Sequence, residues 1–401
     1  MLLVLTWTTG LILGITIPLW IVVWIHMGRV IRQQPSVRDG LLLPAPERGW
    51  PKVSIIVPAH NEQRVIDRCA ASLRWQEYDD LEIIFVLDRC TDDTLTILQK
   101  HAAEDDRIVI IENDSCPDDW AGKCNALRIG AERATGEYLL FADADAGFDE
   151  KLVRASVALA AERGDALLSL LSTLTVERAF ERMAQPVASM SLMKLFPMHR
   201  LNGPPGKFRP FANGQFMLFE RSWYEKIGGH ESVHDALLED LAFAREMNNA
   251  GGKIGVLLAD GMLKVSMYGS YEAFHAGWKR IFIEACNRRP NRLRKHGNRL
   301  FALGLFLPLL ILFAIVCTIT NVLVGDIVAA AAIFGLMALT VILQVVSLLR
   351  IYRLADAPLV STLFYPAGCA MVGRIMRNAA ADLESRTPVR WGGREYILEP
   401  R

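Results

Sequence analysis

Tyr138-Leu139-Leu140-Phe141-Ala142-Asp143-Ala144-Asp145 is an apolar run that stops at two aspartates one residue apart. A short run of aliphatic and aromatic side chains reads as a buried strand, which places the two acids at its carboxyl end. Upstream, Val53–Val57, Leu81–Leu87 and Ile108–Ile111 are runs of the same kind, and Ala166–Leu171 follows downstream. Amphipathic stretches predicted to be helical begin near Asn61, Thr91, Lys123 and Asp149. Strands alternating with helices specify an α/β fold, a mostly parallel Rossmann-like sheet covered by helices, whose ligand lies at the carboxyl ends of the strands.

Three of those ends carry acids. Pro58-Ala59-His60-Asn61-Glu62 follows the first strand, Asp88-Arg89-Cys90-Thr91-Asp92-Asp93-Thr94 the second, and Asp143-Ala144-Asp145 the fourth. An Asp-X-Asp pair after a strand brings carboxylates within reach of a divalent ion that also holds a diphosphate. The triplet alone would equally suit a strand end or a helix cap; three acidic strand ends together point to a site.

In this order, Val57-Pro58-Ala59-His60-Asn61-Glu62, Val86-Leu87-Asp88-Arg89-Cys90-Thr91-Asp92, Gly122-Lys123-Cys124-Asn125-Ala126-Leu127, Asp143-Ala144-Asp145, Asn213-Gly214-Gln215 and Glu239-Asp240 resemble the motifs of family 2 glycosyltransferases with the GT-A fold. The resemblance covers about Pro51 to Arg280. It implies a nucleotide-diphospho-sugar donor, with uridine diphosphate the common carrier, and Mg2+ or Mn2+ as cofactor. Ala59, Glu62 and Asp88 would hold the nucleoside, Asp88 accepting hydrogen bonds from the base. Lys123 would stand near the diphosphate, Asp145 would ligate the metal, and Asp143 would lie at the ribose or the metal. Asp240 would be the base that deprotonates the acceptor hydroxyl in an inverting displacement, with Glu239 as the base if the register differs by one. Read as residues alone, Asp240 also fits a first-turn cap of the helix Leu241–Asn249. Asn213, Gly214, Gln215 and Trp278 are candidates for the acceptor or sugar site.

The end of the chain, Thr387-Pro388-Val389-Arg390-Trp391-Gly392-Gly393-Arg394-Glu395-Tyr396, resembles the Trp-Lys-Gly-Arg-X-Tyr ending of membrane members that glycosylate lipids or carotenoids. Gly392 replaces the lysine; Arg394 and Tyr396 are expected to close the donor site. Processive members carry Gln-X-X-Arg-Trp, and Phe274 and Gly277 occupy the glutamine and arginine positions beside Trp278. Trp278 would stack on a sugar or mark a membrane interface. The expectation is transfer of a single sugar to a membrane lipid. A processive polysaccharide synthase is the alternative within the class, and an inactive nucleotide-sugar-binding scaffold the alternative outside it.

The chain has 401 residues, 52% of them hydrophobic, and its 44 basic residues balance 44 acidic ones, which argues against a nucleic-acid partner. Residues 1–30 are nearly free of charge, long enough to span a bilayer, and followed by Arg29, Arg32 and Arg38. Arginines on that side alone place the following domain, 48–285, in the cytoplasm of a multi-pass protein of the cell (inner) membrane. The segment 300–349 reads as a transmembrane hairpin broken at Gly325 and Asp326, preceded by a basic juxtamembrane run over 286–299. That run serves either as a topology signal or as an attraction for anionic lipid.

The last apolar piece, 357–378, is interrupted by Pro366 and Gly368 and is read as re-entrant or interfacial, with a third C-terminal crossing as the alternative; 379–401 forms a cytoplasmic tail. Within 178–202, Met183, Met190, Met193 and Met198 alternate with Arg182, Lys194 and Arg200, a pattern for a helix in the membrane interface, or for an ordinary buried one. Pro204-Pro205-Gly206 would then turn the chain back toward Asn213. The seven cysteines are read as reduced and structural.

Overall fold

The computed structural model describes residues 2–197, 200–203, 209–391 and 394–401, with the side chains of Arg390, Trp391 and Arg394 left aside. Met198, Pro204, Pro205, Gly206 and Gly392 lie outside the described residues. The long helix α1 (Leu2–Gln33) leads into a domain that begins β1 (Val53–Ala59), α2 (Ile66–Arg74), β2 (Leu81–Asp88), α3 (Thr94–Ala102), β3 (Ile108–Asn113), α4 (Gly122–Arg133) and β4 (Tyr138–Ala142). These strands run one or two residues beyond their expected apolar runs, because the backbone pairing continues past them, through Ala59 in β1, Asp88 and Asn113 in β2 and β3, and Ala142 in β4. Helices α2 and α3 start later than expected. Asn61 and Arg89 adopt left-handed backbone angles, φ 57° and 52°, so the chain turns at each strand end before a helix can form.

After β5 (Ala146–Phe148), α5 (Leu152–Arg163), β6 (Leu167–Leu171), β7 (Thr173–Leu174) and α6 (Ala179–Leu195) come β8 (Phe216–Glu220), α7 (Arg221–Lys226), α8 (Glu239–Asn249), β9 (Ile254–Leu258) and β10 (Leu263–Val265). The main sheet has seven strands in the order β3-β2-β1-β4-β8-β6-β9. Strands β1, β2, β3 and β4 are parallel, whereas β8 runs antiparallel to both β4 and β6. That reversal matters for the site. With Phe216 paired to Ala142, the residues leading into β8 arrive beside the carboxyl end of β4. Asn213, Gly214 and Gln215 thus reach Asp143 across the sheet, not along the chain. Both faces of the sheet are apolar, with Ile55, Phe85 and Leu140 on one side and Ile56, Phe141 and Phe219 on the other.

The C-terminal part holds α9 (Tyr271–Ala285), α10 (Pro290–Phe301), α11 (Leu307–Leu323), α12 (Ile327–Leu354) and α13 (Tyr365–Glu384), then a hairpin of β11 (Val389–Trp391) and β12 (Arg394–Tyr396). Four helical stretches among the described residues are long and apolar enough to cross a membrane: Leu2–Gln33, Pro290–Leu323, Ile327–Leu354 and Leu359–Glu384. Helices α1, α11 and α12 pack together. Within their largely apolar seam of Leu13, Leu310, Ala314 and Ile333, Asn321 Nδ2 donates to Thr6 Oγ1 at 2.9 Å and Ser347 Oγ to the Trp20 carbonyl at 3.3 Å. Leu11, Ile15, Val316, Val328 and Ile342 face outward. A few polar pairs between the helices and aliphatic side chains outside is an arrangement that lipid favours.

Helix α13 packs on α6, α9 and α10. Its Pro366 does not interrupt it. The proline falls in the first turn, where its missing N–H costs nothing. Gly368 lies against the Met183 backbone of α6, too close for any side chain. All seven cysteines are free thiols.

Candidate functional site

The structure gathers the acids that follow β1 and β4 into one group, and a lysine ties the end of β4 to the start of α8. Lys123, in the first turn of α4, places Nζ 2.7 Å from Asp143 Oδ1 and 2.5 Å from Glu239 Oε1. Burial alone would favour the neutral amine, but Asp143 and Glu239 outweigh it and hold the ammonium well above its ordinary pKa. One cation therefore ties the end of β4 to the start of α8.

Around this pair the acids repel one another. Burial, then Asp143 and Glu62, push Asp145 up to about 7; burial, then Asp143 and Asp92, push Glu62 to about 7. Asp143 is raised by burial, against the opposing pull of Lys123. Glu62, expected at the nucleoside, is thereby part of the same acidic group as Asp143 and Asp145. The Asp145 Oδ1 atom is buried without a hydrogen-bond partner among the described residues. An orphaned carboxylate oxygen in a field of negative charge fits a bound cation. No three His, Cys, Asp or Glu side chains converge into a metal cage among the described residues, so a cation here needs further ligands from phosphate or water.

Asp240 sits in the first turn of α8, not just before it, because the helix starts at Glu239. Its Oδ1 accepts from the Leu241 amide at 2.7 Å and its Oδ2 from the Gly214 amide at 2.9 Å. Burial, then the adjacent Glu239, raise it to about 7 despite those bonds. A carboxylate with that pKa suits proton abstraction near neutral pH. Glu239 is almost fully buried and committed to Lys123.

At the end of β2, Asp88 is bound by its neighbour, with Arg89 Nη2 2.6 Å from Oδ2 and Nε 3.1 Å from Oδ1, and by Asn113 Nδ2 at 2.8 Å. Its backbone carbonyl lies 2.6 Å from His60 Nδ1. Ala59, at the end of β1, is buried, and its carbonyl accepts from Cys90 Sγ. The C-terminal hairpin returns to this side of the molecule: Tyr396 is near enough to bear on the charge of Arg89, and the Arg401 amide donates to the Arg288 carbonyl at 3.0 Å.

Asn213 and Gln215 are tied to the end of β6, with Asn213 Nδ2 donating to the Leu170 carbonyl at 2.8 Å and Ser172 Oγ to Gln215 Oε1. Both also line a cavity of about 830 Å³ whose other walls come from α1 (Trp20, Met27), α6 (Met190, Met193) and α12 (Ile351). Trp278 is not a surface residue. It is 2% exposed, packed between Phe274 and Phe282, with part of its ring on that cavity.

Four residues near the acids carry no expectation from sequence: Arg68, Asn113, Tyr268 and Arg280. Arg68 Nη2 donates to the Asp145 carbonyl at 2.8 Å, and the charge of Arg280 is felt at Asp143. Tyr268 Oη is buried without a hydrogen-bond partner among the described residues and lies within electrostatic reach of Arg280, Asp145 and Asp143. Its ring fills the space next to Gly277. Asn113 ends β3, two residues beyond the apolar run that marks that strand in sequence, and the other three stand at no strand end and in no spaced motif; Arg280 alone adjoins a stretch that attracts attention, Trp278-Lys279.

Residues 54–228 match the family model described as glycosyl transferase family 2. A GalNAc(5)-diNAcBac-PP-undecaprenol beta-1,3-glucosyltransferase from Campylobacter jejuni is 36% identical over 95 residues, 24% of this chain and 30% of that protein. Chondroitin synthase from Escherichia coli is 28% identical over 192 residues, 48% of this chain and 26% of that protein. The chain therefore spans under a third of the length of either relative. A mannosyltransferase from Pyrobaculum calidifontis, solved with GDP-Man and Mn2+, aligns over 95% of this chain and 98% of its own with 17% identity and a TM-score of 0.48, a likeness too low to bear on ligands. The sheet order, the acids at its carboxyl edge and the family match agree: residues 54–228 form a domain of the glycosyl transferase family 2 type, with the GT-A fold.

Proposed function

We propose that this protein is an inverting glycosyltransferase that moves one sugar, carried as a nucleotide-diphospho-sugar such as a UDP-hexose, onto the hydroxyl of a membrane lipid. One observation carries the reading. The consecutive residues Asn213, Gly214 and Gln215 join the two halves of the reaction: the Gly214 amide holds Asp240, while Asn213 and Gln215 wall the cavity formed with the apolar helices. An acceptor lying in that cavity presents its hydroxyl to the carboxylate.

In this reading Asp88, Asn113 and the turn after Ala59 frame the nucleoside, and Lys123 faces the diphosphate from the side opposite the acceptor. Its charge, shared with Asp143 and Glu239 in the free protein, is available to a leaving group as negative charge grows there. Asp145, with Asp143 and Glu62 beside it, would hold Mg2+ or Mn2+. When bound, that ion supplies Lewis-acid stabilisation of the departing diphosphate. Asp240 Oδ2, oriented by the Gly214 amide, takes the proton of the acceptor hydroxyl. Attack on the face opposite the leaving group inverts the anomeric carbon. Tyr396, brought back by the hairpin, would cover the donor; the Arg394 side chain, expected to do the same, lies outside the described residues.

The membrane relation follows the same logic. Helices α1, α11 and α12 would cross the bilayer, the catalytic domain would lie in the cytoplasm, and α13, packed on α6 and α10, would lie at the interface and not cross. The Campylobacter jejuni relative, whose name specifies an undecaprenol-linked acceptor, is in keeping with a lipid acceptor. Glycolipid formation in membranes carrying the full chain tests the reading; a protein that binds donor and transfers sugar to no extractable lipid is the contrary result.

A further inference from the structure

Near the membrane side of the cavity the lining carries Lys194, Arg200, Arg299 and Arg353 against two carboxylates, Asp260 and Asp356. Asp260 is taken up by Arg38 at 3.6 Å and by Ser36 at 3.1 Å. Other cations of the same region have partners: Arg288 meets Glu284 at 2.6 Å, Arg294 meets Glu384, and Lys279 meets Asp382 at 2.6 Å. Lys194 and Arg299 differ, and with them stands His296, pushed down to about 4 by burial and then by Lys194 and so a neutral hydrogen-bonding group. Among the described residues no carboxylate stands within ion-pair distance of any of them, although they gather from two helices, Lys194 from the last turn of α6 and the other two from one face of α10. Burial and then Arg299 itself lower the pKa of Lys194, so like charges are held together here without compensation. Sequence reading leaves the basic run over 286–299 either an attraction for anionic lipid or a topology signal. Such a signal does not explain why a lysine from a separate helix is brought into the same place.

We infer that the lipid acceptor is an anionic amphiphile, whose apolar chain lies in the cavity between α1, α6 and α12 and whose phosphate is held at its mouth by Lys194, His296 and Arg299. This rests on the reading of the protein as a lipid glycosyltransferase and narrows the substrate class. The occupant follows from charge complementarity and from position. Arg299 stands in the last turn of α10, directly before the apolar Leu300 and Leu303, where a helix that goes on to cross a bilayer would meet its phosphates, and Met190 and Met193 give the same cavity an adaptable apolar wall. The phosphate is not itself the nucleophile. The acceptor oxygen belongs at Asp240, beyond Asn213 and Gln215, where a base is positioned for a hydroxyl. The acceptor thus carries its hydroxyl farther from the chain than its phosphate.

The test uses the full-length protein in dodecyl maltoside micelles, a phosphate-free detergent. Dioctanoyl phosphatidylglycerol and its phosphate-free counterpart, dioctanoylglycerol, are titrated while intrinsic tryptophan fluorescence is followed, and UDP binding is measured in parallel. Two lost cationic contacts correspond to about a thirtyfold loss of affinity. Wild type should bind the phosphatidylglycerol about thirtyfold more tightly than the diacylglycerol. Lys194→Gln combined with Arg299→Gln should abolish that preference and leave UDP affinity unchanged, and Lys194→Glu should reverse it. Equal affinity for the two lipids, with transfer of sugar to the diacylglycerol, would overturn the phosphate seat and leave lipid glycosylation standing. Inorganic phosphate binding as tightly as the phosphatidylglycerol would assign the cations to a soluble anion and also overturn the seat. Failure of both lipids to bind would overturn the seat together with the function it rests on.

Discussion

The Gly214 amide donates a 2.9 Å hydrogen bond to Asp240 Oδ2, joining the loop before β8 to the first turn of α8. This bond aims the carboxylate. A Cβ added at Gly214 would stand 2.9 Å from Glu239 Oε1, 3.3 Å from Lys123 Nζ and 3.4 Å from Asp240 Oδ2. Gly214→Ala should therefore lower kcat about tenfold or more while far-ultraviolet circular dichroism and UDP affinity stay near wild type. Wild-type kcat in this variant would mean that the loop does not orient the base.

Replacing Lys123 tests the central ion pairs. Lys123→Ala leaves Asp143 and Glu239 facing each other in a buried site. Loss of a buried partner costs about 3 kcal/mol, so thermal unfolding should shift clearly downward. Donor affinity should fall as well. Lys123→Arg keeps the charge and should recover stability better than transfer, because the two acids are spaced for one ammonium. Unchanged stability in the alanine variant would contradict the burial assigned to this cluster.

Protonation supplies a further check. Asp240 and Asp145 are both raised to about 7, so each is largely protonated at pH 6 and ionised at pH 8. A base must be ionised to act and a metal ligand must be ionised to bind. Rate at saturating donor and acceptor should rise with pH up to about 7 and then level, and Mn2+ affinity measured by calorimetry should weaken as pH falls through the same range. A flat profile between pH 5.5 and 8 would argue against both assignments.

Gly277 bears on single transfer against polymerisation. The position where processive relatives carry an arginine is closed by the Tyr268 ring, which leaves no room for a side chain. Gly277→Arg should lower the unfolding temperature without producing polymer. A stable variant that extends its product would show that the site tolerates the processive arrangement.

The carboxyl-edge acids were legible in the sequence because a strand that stops at a charged residue reports both its own end and the site. Glu62, Asp88, Asp143 and Asp145 are candidates on this ground, whereas Ala59 is a candidate by resemblance alone. The Asn213-Gly214-Gln215 segment and Glu239-Asp240 were identifiable only by resemblance, since their approach to Lys123 depends on β8 running antiparallel, which no local pattern reveals. Tyr268 and Arg280 remained hidden for a different reason. They act by packing and charge through space, and a tyrosine in a loop carries no periodic signal. Helix α13 was misjudged as broken because Pro366 was counted as an interruption; its place in the first turn depends on where the helix begins, the least legible boundary in any sequence.

Asp240 as the base of a lipid glycosyltransferase is most directly tested by mass spectrometry of lipid extracts from membranes that contain either the wild-type chain or Asp240→Asn, incubated with several nucleotide-sugars and Mn2+. A single new lipid heavier by one hexose in the wild type, reduced a hundredfold or more in a variant that still binds UDP, is the predicted result. The same lipid formed at an undiminished rate by Asp240→Asn, or a ladder of added sugars in the wild type, would contradict it.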